Sequence, residues 1–234
     1  MTAPRLPRGA RVPDDVRRRF GRRLRDWFRA NGRDLPWRRT RDPYRVLVSE
    51  LMLQQTQVAR VLERYDEFLR EFPTLGSVAR SRQARVMEAW EGLGYYARAR
   101  NLHALARTVE RGEGALPSDP GELRRLPGIG AYTAGAVASF AYERRAPLVD
   151  TNVARVLRRV FAPRLDPRSA RGQRRLWAIA EAVLPRTGRA TWVHNQAVME
   201  LGALICTARV ARCDVCPVRD VCRSAKRGRA GRVA

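Results

Sequence analysis

Apolar residues in this chain return at intervals of three and four, and nowhere do they alternate with polar ones long enough to propose a strand. That spacing constrains the fold more than any other feature and predicts an all-α protein. Val16, Phe20, Leu24, Trp27 and Phe28 mark an amphipathic helix, opened by Asp14 and Asp15 and closed at Asn31-Gly32. Asp34 to Trp37 predicts an extended connection. Pro43 starts a helix to about Ala59, and Pro73 and Gly76 bound the next. Further helices are expected over 82–90, 95–111, 119–125, 131–141, 151–161, 172–184 and 190–206. Residues 1–13 hold Pro4, Pro7, Gly9 and Pro13 and predict a loose arm. The twelve residues after Cys222 are rich in Gly, Ala and Arg and are expected to fray.

Hydrophobic residues make up 44% of the 234, enough to bury a core and to exclude wholesale disorder. Lys and Arg number 47 against 23 Asp and Glu, a net charge of +24, and only Lys226 among them is Lys. GC-rich coding accounts for Arg in place of Lys but not for the surplus of cations over anions. An acidic macromolecular partner is expected, nucleic acid first. No apolar run reaches the roughly 18 residues of a membrane span. Met1 to Arg11 lacks the pattern of a signal peptide. A cytoplasmic, nucleoid-associated chain without structural disulfides and without a membrane partner is expected.

All four cysteines, Cys206, Cys213, Cys216 and Cys222, fall within seventeen residues, spaced C-x6-C-x2-C-x5-C. Such clustering in a reducing compartment points to thiolate ligation of a metal. Zinc is one occupant, but zinc ribbons use two C-x2-C pairs and this loop has one. A cubane cluster accepts four thiolates from one irregular loop, so the spacing favours [4Fe–4S]. Arg209 and Arg212 lie between the first two cysteines and are expected to touch DNA phosphates.

Leu126-Pro-Gly-Ile-Gly130, followed by Ala131-Tyr-Thr-Ala-Gly135, reads as a turn feeding a helix. Gly128 and Gly130 permit positive φ and close backbone approach, and the helix start can receive a phosphate. With the short helix at 119–125, the pattern is that of a helix-hairpin-helix, which positions a duplex without reading its sequence. A turn between two core helices would look similar.

Two acids stand apart. Glu50 is the only acid from Val46 to Ala59, and Val46, Leu47 and Leu53 share its helix face. Lost hydration is expected to raise its pKa and let it hold a proton. Asp150 precedes Thr151-Asn-Val and is a helix N-cap by local rules, at a helix end that favours the ionised form. One neutral and one charged acid is the pairing that glycosidic cleavage uses.

Five segments now stand in order: Ser49-Glu-Leu-Met-Leu-Gln-Gln-Thr-Gln-Val58, the run from Gly92-Leu-Gly-Tyr-Tyr-Ala-Arg98 to His103, Leu126 to Gly135, Val149-Asp-Thr-Asn-Val153 and the cysteine loop. From about Trp27 to Cys222 the chain resembles the MutY-type adenine DNA glycosylases of the helix-hairpin-helix superfamily, which includes endonuclease III. The resemblance implies a six-helix barrel over 38–147, with the hairpin at about 119–141. It also implies an iron–sulfur domain from 14–37 and 148–226, with tails at 1–13 and 227–234. It implies that a monomer binds double-stranded DNA holding a mismatched or damaged base and flips the target inward. The activity implied is hydrolytic removal of adenine opposite guanine or 8-oxoguanine. Glu50 matches the acid that protonates the adenine, and Asp150 the carboxylate that stabilises the sugar cation. Tyr132 and Asn152 match supporting residues, and Gln55 and Tyr95 match side chains that hold the duplex open. Lyase-competent relatives carry Lys where this chain has Tyr132, so a monofunctional glycosylase is expected.

The sequence ends twelve residues after Cys222, and a MutT-like domain that inspects 8-oxoguanine is expected to be absent. Thr151 stands where the family often has Gly. Thymine or uracil excision opposite guanine is the alternative within the superfamily, and Gln54-Gln-Thr-Gln57 argues against it. A non-catalytic hairpin protein that merely binds DNA is the third reading, and it leaves Glu50 and Asp150 without purpose.

Overall fold

A computed structural model describes residues 12–227. The expected arm at 1–13, apart from Val12 and Pro13, lies outside the described residues, as do 228–234. The described chain is all-α. In order it forms α1 (Asp14–Asn31), α2 (Pro43–Met52), α3 (Val58–Glu71), α4 (Leu75–Arg80), α5 (Gln83–Glu88) and α6 (Ala97–Arg111). There follow α7 (Pro120–Leu123), α8 (Ala131–Phe140), α9 (Thr151–Phe161), α10 (Ala170–Val183) and α11 (Gly188–Leu204). The one β-type pairing among the described residues is an isolated bridge between Cys206 and Ala211.

Several expectations are corrected. The helix drawn from Pro43 to Ala59 stops at Met52, and Gln55 takes a left-handed φ of 57° before α3 begins. Gln54-Gln-Thr-Gln57 contains neither Gly nor Pro, so no local signal marks the break; the carbonyls there bond to a guanidinium from far along the chain, described below. Gly76 does not bound a helix but lies inside α4, whose start is a reciprocal cap in which the Ser77 amide donates to Thr74 Oγ1 at 3.1 Å and the Thr74 amide to Ser77 Oγ at 3.2 Å. Asp34–Trp37 is not wholly extended, because Pro36–Arg38 makes a 3-10 turn that tucks Trp37 edge-on against Tyr65.

The residues after Cys222 do not fray as far as Arg227. The Arg223 amide donates to Val160 O, and the Ser224 amide and hydroxyl donate to Arg159 O. The Arg223 side chain reaches Phe161 O at 2.9 Å. These carbonyls belong to the last turn of α9, where the helix has no amides left to serve them. Composition alone cannot show that a polar tail has such acceptors to satisfy.

The chain divides into two compact units. The first comprises residues 34–143. Its α8 (Ala131-Tyr-Thr-Ala-Gly-Ala-Val-Ala-Ser-Phe140) is apolar nearly all round and buried from Thr133 onward, as a helix enclosed on every side must be. It packs on α2, which is also almost wholly buried, and on α7. α6 contributes Leu102, Leu105 and Val109 to the same core and packs on α4 and α5.

The second unit joins residues 12–33 to 144–227. Here α1 lays Phe20 and Leu24 on α11, and α9 packs on α10 and α11. Glu200, 1% exposed, is neutralised by Arg33, which donates to it from its amide and from two guanidinium nitrogens. His194 of α11 lies fully buried beside Phe20. Burial chiefly, and Arg25 secondarily, push its pKa down to about 4 from 6.5. The fold therefore holds it neutral while the unfolded chain takes up a proton, so stability is full above about pH 6.5 and is lost as pH falls toward 4. A shift of this size is worth roughly 3 kcal/mol. Urea unfolding across that window is expected to show a pH slope that His194→Leu flattens; equal slopes would remove His194 as its source.

Candidate active site

In the first unit the site is built on α2 and α8. Asp42 caps α2 by accepting from the Arg45 amide at 3.0 Å, with Pro43 at the first helical position. Two turns later Glu50 is 3% exposed. Tyr132, in the first turn of α8, donates its hydroxyl to Glu50 Oε2 at 2.7 Å. The turn that feeds α8 sets this contact. Gly128 has φ 75°, and a Cβ there would sit 2.5 Å from the Cβ of Asn101, so only glycine fits. Gly130 is the N-cap and, lacking a side chain, leaves the first amides of α8 uncapped by one. Gln54 Nε2 donates to Thr133 Oγ1 at 3.2 Å, tying the end of α2 to α8 beside the acid.

Gln55 and Tyr95 are both exposed, Tyr95 to 60%, and both have positive φ, 57° and 47°. Outside glycine such a conformation costs roughly 1–3 kcal/mol and persists only where its surroundings dictate it. Between the two loops lies Arg98, 7% exposed, which the sequence reading did not single out. Its guanidinium donates to the carbonyls of Leu51, Met52 and Gln54 and to those of Leu93 and Gly94, and it reaches Thr56 Oγ1 at 3.1 Å. A signal was present: Arg98 falls in register with Leu102, Leu105 and Val109, a charge on the apolar stripe of α6.

In the second unit Asp150 is the N-cap of α9. Its Oδ1 accepts from the Val153 amide at 2.6 Å and its Oδ2 from Asn152 Nδ2 at 3.3 Å. The helix end does favour the ionised form, through the Val153 amide, but burial acts against it. Burial raises the Asp150 pKa above the usual 3.8 and outweighs the lowering by the Val153 amide, Asn152 and Arg155. Asn152 is itself held. Arg155 Nη2 donates to Asn152 Oδ1 at 2.5 Å while its Nε donates to Cys206 O at 2.7 Å. Gly202 of α11 permits this closeness, since a Cβ there would lie 2.8 Å from Asn152 Cβ.

The four cysteines line a cavity of about 160 Å³ with Val156, Leu201, Ile205, Val218 and Arg159. That is roughly ten times what one water needs. No group of three or more His, Cys, Asp or Glu side chains among the described residues is arranged to hold a metal ion. The chemistry of the donors nevertheless fits a large cationic core. Burial, together with the neighbouring sulfurs, pushes Cys213, Cys216 and Cys222 up, Cys216 to about 12, a cost that a bound metal would offset. Arg159, also missed in the sequence, donates to Cys206 Sγ at 3.3 Å and to Thr207 O at 2.7 Å and fastens the loop to α9. Arg209 and Arg212 both project into solvent, and the Arg212 amide pins the loop to Ile205 O.

Residues 48–182 match the HhH-GPD superfamily base excision DNA repair protein family. The chain is 42% identical over 225 residues to an adenine DNA glycosylase of Rattus norvegicus, covering 92% of this chain and 43% of that one. It is 45% identical over 194 residues to an adenine DNA glycosylase of Mycobacterium tuberculosis, covering 82% and 63%. It thus spans less than two thirds of either relative. Among solved structures it is similar to a thermostable thymine-DNA glycosylase, with TM-score 0.83, 29% identity and coverage of 92% of this chain and 98% of that one.

Proposed function

We propose, since this chain belongs to the HhH-GPD superfamily of base excision DNA repair proteins, that it is a monofunctional DNA glycosylase that releases adenine from a mismatch with guanine or 8-oxoguanine. The observation that carries this reading is a carboxyl enclosed within α2 with the Tyr132 hydroxyl on one of its oxygens. A base leaves readily only once it is protonated, so an acid sheltered from water and held by the Tyr132 hydroxyl suits delivery of a proton. Asp150 serves as the carboxylate that faces the developing sugar cation, with Asn152 and Arg155 holding it in place. The anion then helps water attack from the vacated face, leaving an abasic site. Tyr132 has no amine with which to form a Schiff base, and the one Lys of the chain, Lys226, lies in the turn after the cysteine loop. Borohydride is therefore expected to trap no covalent adduct.

The α7–α8 hairpin, with its uncapped helix start, receives a phosphate at Gly128 to Gly130, and Arg209 and Arg212 add further phosphate contacts. The +24 charge supplies the sequence-independent part of duplex affinity. Gln55 and Tyr95 enter the base stack and hold it open. The chain acts as a monomer on double-stranded DNA in the bacterial cytoplasm.

Cys206, Cys213, Cys216 and Cys222 would hold a [4Fe–4S] cluster, whose role when bound is to brace the loop that Arg155 and Arg159 grip. Cys213→Ser is expected to purify with less than stoichiometric iron and a bleached visible spectrum. Wild-type chain containing stoichiometric zinc and no iron would overturn the assignment.

Single-turnover base release on duplexes with A opposite 8-oxoguanine, A opposite G, T opposite G and U opposite G tests the function. Release of adenine alone is expected. The similarity to a thymine-DNA glycosylase gives the pyrimidine duplexes their place in the test. Release of thymine or uracil in preference would replace the substrate, and no release from any duplex would leave only a DNA-binding protein.

A further inference from the structure

We propose that Arg98 is the positioning residue that locks Gln55 and Tyr95 at one fixed spacing, so that both loop tips meet a duplex as a single rigid element. The inference rests on the reading of those two side chains as the groups that hold the base stack open. Three observations carry it. The two exposed residues belong to different loops, 53–57 and 92–96, and each tip has a left-handed φ, 57° at Gln55 and 47° at Tyr95, which is costly outside glycine. One guanidinium donates to both: to Gln54 O beside Gln55, and to Leu93 O and Gly94 O, each at 2.9 Å, beside Tyr95. Thr56 Oγ1 completes the joint, accepting from Arg98 at 3.1 Å and donating to Leu93 O at 3.2 Å.

Charge and shape both require arginine here. The carbonyls of Leu51 and Met52 lie at the C-terminal end of α2, the negative pole of that helix, which draws a buried cation, and the Gln54 carbonyl follows in the turn after it. Five N–H groups in a planar fork can serve acceptors on two sides at once, whereas the point charge of lysine cannot. The Tyr95 ring centroid lies 5.5 Å from Arg98 Cζ, so the same group also steadies the side chain at the loop tip. A side chain that must hold two stacked bases apart loses its effect if it drifts, and fixing both tips beforehand removes that cost from binding.

Arg98→Lys and the milder Thr56→Val test this against Val61→Ala, a core variant of the same unit. Amide exchange in Arg98→Lys is expected to quicken about tenfold at 53–57 and 92–96 together, while α2, α6 and α8 stay protected. Extrusion of a fluorescent adenine analogue, and base release, are expected to fall about 100-fold with duplex affinity unchanged. Thr56→Val should show the same pattern, weaker, and decides the matter if Arg98→Lys does not fold. Exchange that quickens everywhere, as in Val61→Ala, or in one loop only, would overturn the proposal, as would wild-type extrusion. If the wild-type chain extrudes no base, the reading of the site fails, and the exchange result still decides whether Arg98 couples the loops.

Discussion

Glu50→Gln is expected to lower single-turnover release of adenine by about 10²–10⁴, the range over which a positioned general acid acts, with duplex affinity unchanged. The substitution keeps the volume and the hydrogen-bonding shape of the side chain. Tyr132 can still donate to the amide oxygen as it does to Oε2, so the enclosed pocket on α2 survives. What is lost is a transferable proton. The pH profile separates this from a packing defect: a wild-type rate that falls as the acid deprotonates should become flat in the variant. Glu50→Gln with wild-type release would take Glu50 out of the chemistry and, with it, the observation on which the functional reading stands.

Asp150→Asn should move activity and stability in opposite directions. Base release is expected to fall by about 10²–10³, the cost of removing a group that meets developing charge. Stability is expected to rise, because burial raises the pKa of this acid in the fold. A carboxyl of that kind contributes fully below its unfolded pKa, near 3.8, and the contribution is lost as pH rises through its higher folded value. At neutral pH the charge is therefore a burden that asparagine lacks, while asparagine caps α9 as well as aspartate does. Each kcal/mol gained would appear as roughly 2–4 °C in melting temperature for a chain of this size. The advantage of the variant should widen from acid to neutral pH; a variant less stable than wild type at neutral pH would mean that the Val153 amide and Arg155 win over burial. Such an exchange of stability for function is common at sites that keep a costly charge.

Much of the molecule could be read without coordinates because its signals are local. Helices declare themselves by neighbours three and four residues apart, and their starts by Asp42-Pro43, Asp119-Pro120 and Asp150, all of which cap. The burial of Glu50 was legible for the same reason, as a lone acid among Val46, Leu47 and Leu53. The break after Met52 was not. Gln54, Gln55 and Thr56 include neither Gly nor Pro, and the carbonyls at and just after the end of α2 find their partner in Arg98, more than forty positions later. Arg155 and Arg159 escaped notice in the same way, since their partners Cys206 and Thr207 lie about fifty residues on.

The amino-acid order by itself determined the all-α class, the family and the types of reactive side chain, since periodicity, capping and motif spacing all act within a few residues. Tertiary structure alone decided where the charges may live. It buried Arg98 between two loops, raised the pKa of Asp150 against the pull of its own helix, and turned a polar tail into the cap of α9. Desolvation and hydrogen bonds between distant segments depend on which surfaces meet, and no local pattern records that.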